Sequence, residues 1–161
     1  MQRRFALCGV SLLSVLLLAV AVRAEEMKTP YFSMELPAGW TVMQKSVAEG
    51  KTKVAVRHNE GNTVVAIAVA ALPRTASLDE LFPPFSKQLE ANGITLGEAK
   101  TSGNTRMADF SKAGKRGSLY VTTSGKHFSA ITILGESDEP GKKLMRENFK
   151  PVDAKLFPAS Y

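Results

Sequence analysis

The chain has few side chains that could carry out acid–base or metal chemistry. Its only histidines are His58 and His127, and its one cysteine, Cys8, lies in an apolar N-terminal stretch. A catalytic zinc site generally uses three protein ligands, so both histidines with Glu60 would be the smallest candidate set. The histidines adjoin predicted turns, where exposed polar residues are common, and nothing in the spacing brings them together. The sequence therefore predicts no catalytic residue, metal or cofactor.

Motifs for nucleophilic catalysis and phosphate binding are also missing. No serine occupies a Gly-x-Ser-x-Gly elbow. Residues 114–117, Gly-Lys-Arg-Gly, lack the glycine number and the strand-to-helix setting of a phosphate loop or dinucleotide fingerprint. Lys112, Lys115 and Arg116 are instead predicted to form a basic hairpin tip. Such a tip could contact anionic lipid heads or an acidic partner, although a solvated turn is its commoner role.

Residues 1–24 have the organisation of a bacterial secretory signal. Two arginines precede an apolar and small-residue run over 5–22, and Ala24 is followed by an acidic pair that begins at Glu25. A positive segment, an apolar segment and small residues at the cut are the parts of such a signal. We therefore predict export to the periplasm, with cleavage between Ala24 and Glu25.

Two alternatives to that cut remain open. Ala19-Val20-Ala21 offers a second small-residue site, which would leave Val22 as the N-terminus. The apolar run is also at the lower limit for spanning a bilayer, so the segment could stay as an anchor with its arginines in the cytoplasm. A lipoprotein is not expected, because Cys8 precedes most of the run.

Residues 25–150 are predicted to form one domain, followed by an extended or frayed tail over 151–161. Removing the signal removes three arginines and no acid, so the net charge falls from +6 to +3. Basic and acidic residues alternate along most segments, which is not the concentrated basic face of a nucleic-acid-binding protein. Without cysteine the exported domain has no disulfides, and its core alone must hold it together.

Hydrophobic periodicity and turn residues predict an α+β fold with about six to eight antiparallel strands. Phe32, Met34 and Leu36 alternate with polar neighbours, which is typical of a half-buried strand. Residues 63–72 are almost wholly apolar, as in a central strand covered on both faces. The other predicted strands, several of them joined by glycine-containing hairpin turns, begin at Trp40 or span 53–57, 94–101, 104–111, 116–124 and 126–135.

Two helices are predicted. Ser77-Leu-Asp-Glu80 is a capping box, and apolar residues recur at helical spacing from Leu78 until Asn92-Gly93 ends the segment. Pro83-Pro84 interrupts this pattern, so the helix either kinks there or divides into two. A second, short helix is predicted over 139–148.

The first strand and its turn resemble a known superfamily. Phe32-Ser-Met-Glu-Leu-Pro-Ala-Gly-Trp40 resembles the opening strand and L-P-x-G-W turn of the Mog1/PsbP-like superfamily, which includes bacterial periplasmic DcrB-like and DUF1795-type proteins. The order of elements extends the resemblance along the mature chain. It implies an α/β/α sandwich around an antiparallel sheet, with a central and a C-terminal helix. Leu36, Pro37, Gly39 and Trp40 carry over, with a structural role, and Trp40 is expected in the core.

The resemblance also implies a non-enzymatic role, since members of the superfamily are accessory or binding proteins. We expect an exported binding or accessory protein of the bacterial cell envelope, with an envelope protein or a membrane-associated complex as its partner. A second hypothesis is an envelope hydrolase or metal-dependent enzyme with an unrecognised site. A third is a subunit that an uncleaved signal holds in a membrane complex.

The position of the cut gives the first prediction. The mature protein is expected to begin at Glu25, because small residues precede that bond and an acidic pair follows it. Intact-mass measurement of the protein from the soluble envelope fraction tests this. Recovery at full-length mass, and from membranes only, would contradict cleavage.

Overall fold

The computed structural model describes residues 25–161. The predicted signal, including Ala24 at its cut, lies outside the described residues. The strands are β1 (Glu25–Lys28), β2 (Phe32–Leu36), β3 (Trp40–Ala48), β4 (Lys51–His58), β5 (Val64–Ala71), β6 (Thr95–Leu96), β7 (Lys100–Ser102), β8 (Thr105–Lys112), β9 (Lys115–Thr123), β10 (His127–Gly135) and β11 (Phe149–Pro151). The helices are α1 (Leu78–Ala91), α2 (Glu139–Asn148) and a 3-10 helix (Ala154–Leu156). No helix in this part of the chain has the length and apolar character needed to cross a bilayer.

Eight strands form one antiparallel sheet. Its order is β3-β4-β5-β10-β9-β8-β6, and β7 also pairs with β8. Hairpins join most neighbours, as the tight turns in the sequence predict. The exceptions are β6–β8, which β7 separates in the chain, and the central β5–β10 pair, in which Val64 aligns with Leu134 and Ala71 with His127. This long-range pairing joins the two halves of the chain into one sheet.

One face of the sheet is sealed by a second layer. Strands β1, β2 and β11 form a small antiparallel sheet that lies over it together with α2. Phe32, Phe149 and Phe157 stack on one another within this layer, with ring centroids 4.8–5.9 Å apart. The sheet contributes the apolar core residues Val54, Val56, Val65, Ile67, Val69, Tyr120, Ile131 and Ile133.

The C-terminal residues belong to this layer, which corrects the expectation of a frayed tail over 151–161. β11 pairs with β2, and Leu156 and Phe157 are buried in the core. The hydroxyl of Ser129 donates a hydrogen bond to the Leu156 carbonyl at 2.5 Å. The ring of Tyr161 packs edge to face on Tyr120 with centroids 5.5 Å apart, and burial raises the pKa of the Tyr161 phenol.

Helix α1 covers part of the opposite face. Phe82 packs against β8 and β9 in a second core, and the helix flank carries Phe85 and Leu89. The Glu80 carboxylate accepts a hydrogen bond from the Ser77 backbone N–H at 2.9 Å, as the capping box predicts. That bond, and then Arg74, lower the pKa of Glu80. With α1 and α2 on opposite faces, the expected α+β architecture of an α/β/α sandwich is confirmed.

The Pro83-Pro84 pair does not divide the central helix. α1 is one helix of 14 residues that contains both prolines. Both rings are exposed, so the carbonyl groups that lose an N–H donor lie on the solvent side of the helix. The Ser86 hydroxyl donates to the Pro83 carbonyl at 3.0 Å and supplies one local bond.

Two strand predictions differ from the structure, and β1 is a strand that the sequence does not predict. The segment 94–101 forms two short strands, β6 and β7, that pair separately with β8. β1 has no counterpart in the sequence analysis, because Glu25–Lys28 is polar apart from the buried Met27. Residues 63–72 are not covered on both faces, since alternate residues of β5 remain half-exposed.

Close packing at Gly117 gives the second prediction. A Cβ atom there would overlap the Phe110 ring and the Ile133 carbonyl oxygen. Overpacking of this kind costs about 3 kcal/mol, so Gly117→Ala should lower the free energy of unfolding by about that amount. The control is Gly61→Ala, where nothing lies within 4 Å and a φ of +71° costs only about 1 kcal/mol. Urea denaturation followed by circular dichroism measures both, and equal losses would contradict the packing argument.

Candidate functional site

A groove beside α1 is the candidate binding site on the surface, and we call it the alanine groove. It lies on the half of the sheet that α1 leaves uncovered and has a volume of about 270 Å³. Its floor consists of Ala55, Ala66, Ala68, Ala130 and Thr132. These side chains come from β4, β5 and β10, in the middle of the sheet.

The alternation along β5 creates this floor. Val65, Ile67 and Val69 point into the sealed core, where each is at most 1% exposed. Ala66 and Ala68 therefore point to the opposite face. Three of their four neighbours in register are also small, because Ala66 lies between Ala55 and Thr132 while Ala68 lies between Ala130 and Lys53. The floor is consequently apolar and flat.

The two walls of the groove differ in character. Phe85, Gln88 and Leu89 of α1 line one side, and Phe85 is fixed by a tilted contact with Phe128 at 5.5 Å. Lys53 and Gln44, from β4 and β3, line the other. The groove thus has an uncharged helical wall and a polar wall formed by the edge of the sheet.

The polar wall continues as a row of basic residues. Lys51, Lys53 and Arg57 are exposed and lie on one face of β4. The half-buried Ala55 is on the same face, between Lys53 and Arg57. None of the three forms a salt bridge with any residue that the structure describes. An apolar floor bordered by free positive charge can hold an apolar ligand with negative charge along one side.

The outer strand beyond this wall carries features that discourage edge pairing. Within residues 25–161, three of the four exposed large hydrophobic side chains are on β3: Val42, Met43 and Val47. The β3–β4 register shifts between Val42 and Gln44, which marks a bulge at Met43, and Lys45 follows. Bulges and lysines protect edge strands from pairing with another chain. The groove is therefore a better candidate than the edge.

A polar cleft of about 490 Å³ lies near α2. The Ser118 hydroxyl is 2.7 Å from Asp138 Oδ2 and 3.0 Å from Asp109 Oδ1, and Lys142 Nζ is 2.6 Å from Asp138 Oδ2. Ser118 is fully buried and has carboxylates rather than an imidazole as neighbours. It is placed to join β9 to α2, and its oxygen is not accessible to a substrate.

The charges in this cleft stabilise each other. Partial burial acts to raise the pKa of Asp138, but hydrogen bonds from Lys142 and Ser118 outweigh it and hold this pKa below its usual value. Burial likewise acts to lower the pKa of Lys142, but the bond to Asp138 raises it overall. Burial raises the pKa of Tyr120, next to the cluster. This arrangement fastens α2 to the sheet.

The structure separates the candidate metal ligands. His127 aligns with Ala71 at one end of β5, whereas His58 ends β4 one residue beyond the opposite end, about 26 Å away along the strands at 3.3 Å per residue. One ion cannot bind both. The Nδ1–H of His58 donates to the Glu60 carbonyl at 2.6 Å, so this contact uses the Glu60 backbone rather than its carboxylate.

Trp40 is only partly buried, which corrects the expectation that its indole lies in the core. Its ring packs on His58 with centroids 5.0 Å apart and borders the core beside Pro37. Leu36 is buried, and Gly39 has a φ of +90° at the bend. The motif therefore turns the chain from β2 to β3, and its tryptophan sits on the rim of a cavity of about 290 Å³.

The basic hairpin tip forms where the sequence predicts it. Ala113 and Gly114 both have positive φ, which gives a tight turn between β8 and β9, and Lys112, Lys115 and Arg116 are all exposed there. None of these three residues lines the alanine groove. A role for it in partner contact stays a prediction.

A solved structure supports the fold. The solution structure of cyanobacterial PsbP (CyanoP) from Synechocystis sp. PCC 6803 is similar to this chain with a TM-score of 0.54 and 14% identity, covering 91% of this chain and 98% of the other. At this identity the likeness shows the fold alone. No protein-family model and no curated protein matches the chain. The chain thus has a PsbP-like fold.

Sequence reasoning missed the alanine groove. The sequence pattern that indicates the groove lies in Val64–Ala71, where valine or isoleucine alternates with alanine. An almost wholly apolar run reads as buried on both sides, but the small residues fall on one face only. Alternation in side-chain size was the pattern that could have revealed it.

The Asp138–Lys142 pair gives the third prediction. The pKa of the Asp138 carboxyl is lower in the folded protein than in the unfolded chain. Asp138 therefore adds to the free energy of unfolding above its unfolded pKa, and this addition is lost as the pH falls through its folded pKa. The pKa of Lys142 is raised in the folded protein, so its addition to the free energy of unfolding is lost as the pH rises through this folded pKa. Lys142→Met should therefore cost about 1–2 kcal/mol between about pH 5 and pH 9, and progressively less below about pH 3.

The matched control is Lys143→Met, which removes an exposed neighbour on the same helix. Urea unfolding of both variants and the unchanged protein at several pH values measures the effect. A Lys142→Met cost that stays constant from neutral to acid pH would contradict the assignment.

Proposed function

We propose that the chain is an exported accessory protein of the bacterial cell envelope, which binds a partner protein through the alanine groove and performs no chemistry itself. The observation that carries the proposal is the apolar floor that α1 leaves open in the middle of the sheet. A cleft lined mainly by apolar side chains, with a few polar groups at its border, is the usual form of a binding site.

Other features support a binding role. The lining of the groove includes no histidine, cysteine or carboxylate that could serve as a general base, since it consists of alanine, other apolar residues, Thr132, two glutamines and Lys53. The PsbP-like fold suggests an accessory or binding protein. Within that superfamily we propose the DcrB-like or DUF1795-type envelope proteins as the nearest group, because the L-P-x-G-W turn and the signal-like N-terminus agree with them.

The N-terminal strand is consistent with export followed by cleavage. Met27 of β1 is 3% exposed and packs in the main core. A cut after Ala24 keeps all four residues of β1 and their pairing with β2. A cut after Ala21 keeps them as well, so the strand is compatible with either proposed cut.

Blocking the groove gives the fourth prediction. Ala66→Arg places a long side chain on the floor, whereas Ala71→Arg places one at the exposed end of the same strand. Both variants should melt within a few degrees of the unchanged protein. The arginine at position 66 extends into the open groove, and the arginine at position 71 extends into solvent.

Chemical cross-linking in whole cells, followed by capture of the tagged protein, tests binding. The unchanged protein and Ala71→Arg should yield the same stoichiometric partner protein, and Ala66→Arg should lose it. Equal recovery with all three proteins, or no protein partner with any of them, would contradict the proposal.

A further inference from the structure

We infer that the segment which occupies the alanine groove is an amphipathic α-helix with acidic residues along one border of its apolar face. The inference deepens the proposed function and rests on it. It follows from three properties of the groove: its width, the hydrogen-bonding state of its floor and the charge of its borders.

The width fits one helix. The floor extends from β4 through β5 to β10, which is two strand spacings or about 10 Å. A helix with its side chains is about 10–12 Å across. Alanines project only a methyl group, so large side chains of an incoming helix can reach the sheet between α1 and the row of basic residues.

The wall formed by α1 matches such a neighbour. Phe85 and Leu89 are four residues apart on the flank of α1 and both are only partly buried. Residues at this spacing form a ridge that packs into the groove of an adjacent helix at about 8–10 Å between axes. A second helix here would complete the helical layer that α1 begins.

The backbone of the floor favours a helix over an extended peptide. β4, β5 and β10 each pair with a strand on both sides. They have no free edge to offer hydrogen bonds to an added strand. A helix satisfies its own backbone groups and needs only side-chain contacts from the floor.

The border of the groove determines the charge of the occupant. Lys51, Lys53 and Arg57 are exposed along one side and form no salt bridge within the described residues, while Gln88 on the opposite wall is neutral. Successive side chains on this face of a strand are about 7 Å apart, so Lys51 and Lys53 are about 7 Å apart and Arg57, beyond Ala55, is about 13 Å further along. Carboxylates that recur about every turn of a helix, on one side of its apolar face, can pair with this row.

Designed peptides test the inference on the mature protein. The probe is a 14-residue helical peptide, matched to α1 in length, with leucines on one face and glutamates along one border. One control peptide has lysine in place of glutamate, and another has the same composition in scrambled order. Binding is followed by methyl NMR of Ala66, Ala68 and Ala130.

The glutamate peptide should shift these alanine signals and bind at least about tenfold more tightly than either control, which corresponds to about 1.4 kcal/mol. Its binding should weaken with salt, because the border contacts are exposed. Lys53→Glu should reduce this affinity about tenfold and improve that of the lysine peptide. Lys45→Glu, on the other face of the sheet edge, should change neither.

Equal binding of the glutamate and lysine peptides, or no binding of the glutamate peptide, would overturn the inference. Binding of anionic lipid vesicles at the same alanines, without peptide binding, would overturn it in favour of a lipid. If Ala66→Arg still abolishes partner capture in cells while the peptides fail, the helix inference alone is wrong. If Ala66→Arg has no effect there, the proposed function is wrong.

Discussion

The alternation of large and small apolar residues along β5 is the constraint on which the rest of the structure depends. Val65, Ile67 and Val69 fill the sealed core, and the alanines between them form the open floor. A register slip of one residue would exchange the two faces and expose the large side chains. The β5–β10 pairing therefore fixes both the core and the groove, because the same strand supplies one face to each.

The two faces of the large sheet differ in how completely they are covered. The sealed face is covered by the small sheet, α2 and the C-terminal residues, and it holds most of the large buried side chains. The Ser118–Asp138–Lys142 cluster adds a polar connection that holds α2 in place. Because stability comes mainly from this side, the α1 face can leave part of the sheet uncovered. Substitutions on the groove floor should consequently affect binding more than folding.

Much of the architecture could be predicted from local pattern. The hairpin turns, the capping box at Ser77 and the α+β class follow from turn residues, caps and periodicity, which act over a few residues. The strand at Glu25–Lys28 could not, because its polar sequence has little intrinsic preference and β2 supplies its pairing. The tail was misjudged for a similar reason, since its prolines suggest disorder while Phe157 is held by distant aromatic residues.

The sequence by itself determined which side chains are available for chemistry: two histidines that no motif brings together, a basic hairpin tip and a signal-like N-terminus. It also contained the valine–alanine alternation that defines the groove. Only the tertiary structure decided which face of the sheet stayed open, because that depends on where α1 lies across the strands. The tertiary structure also places Trp40 at the rim of a cavity and not inside the core, because burial is set by neighbours that are distant in sequence.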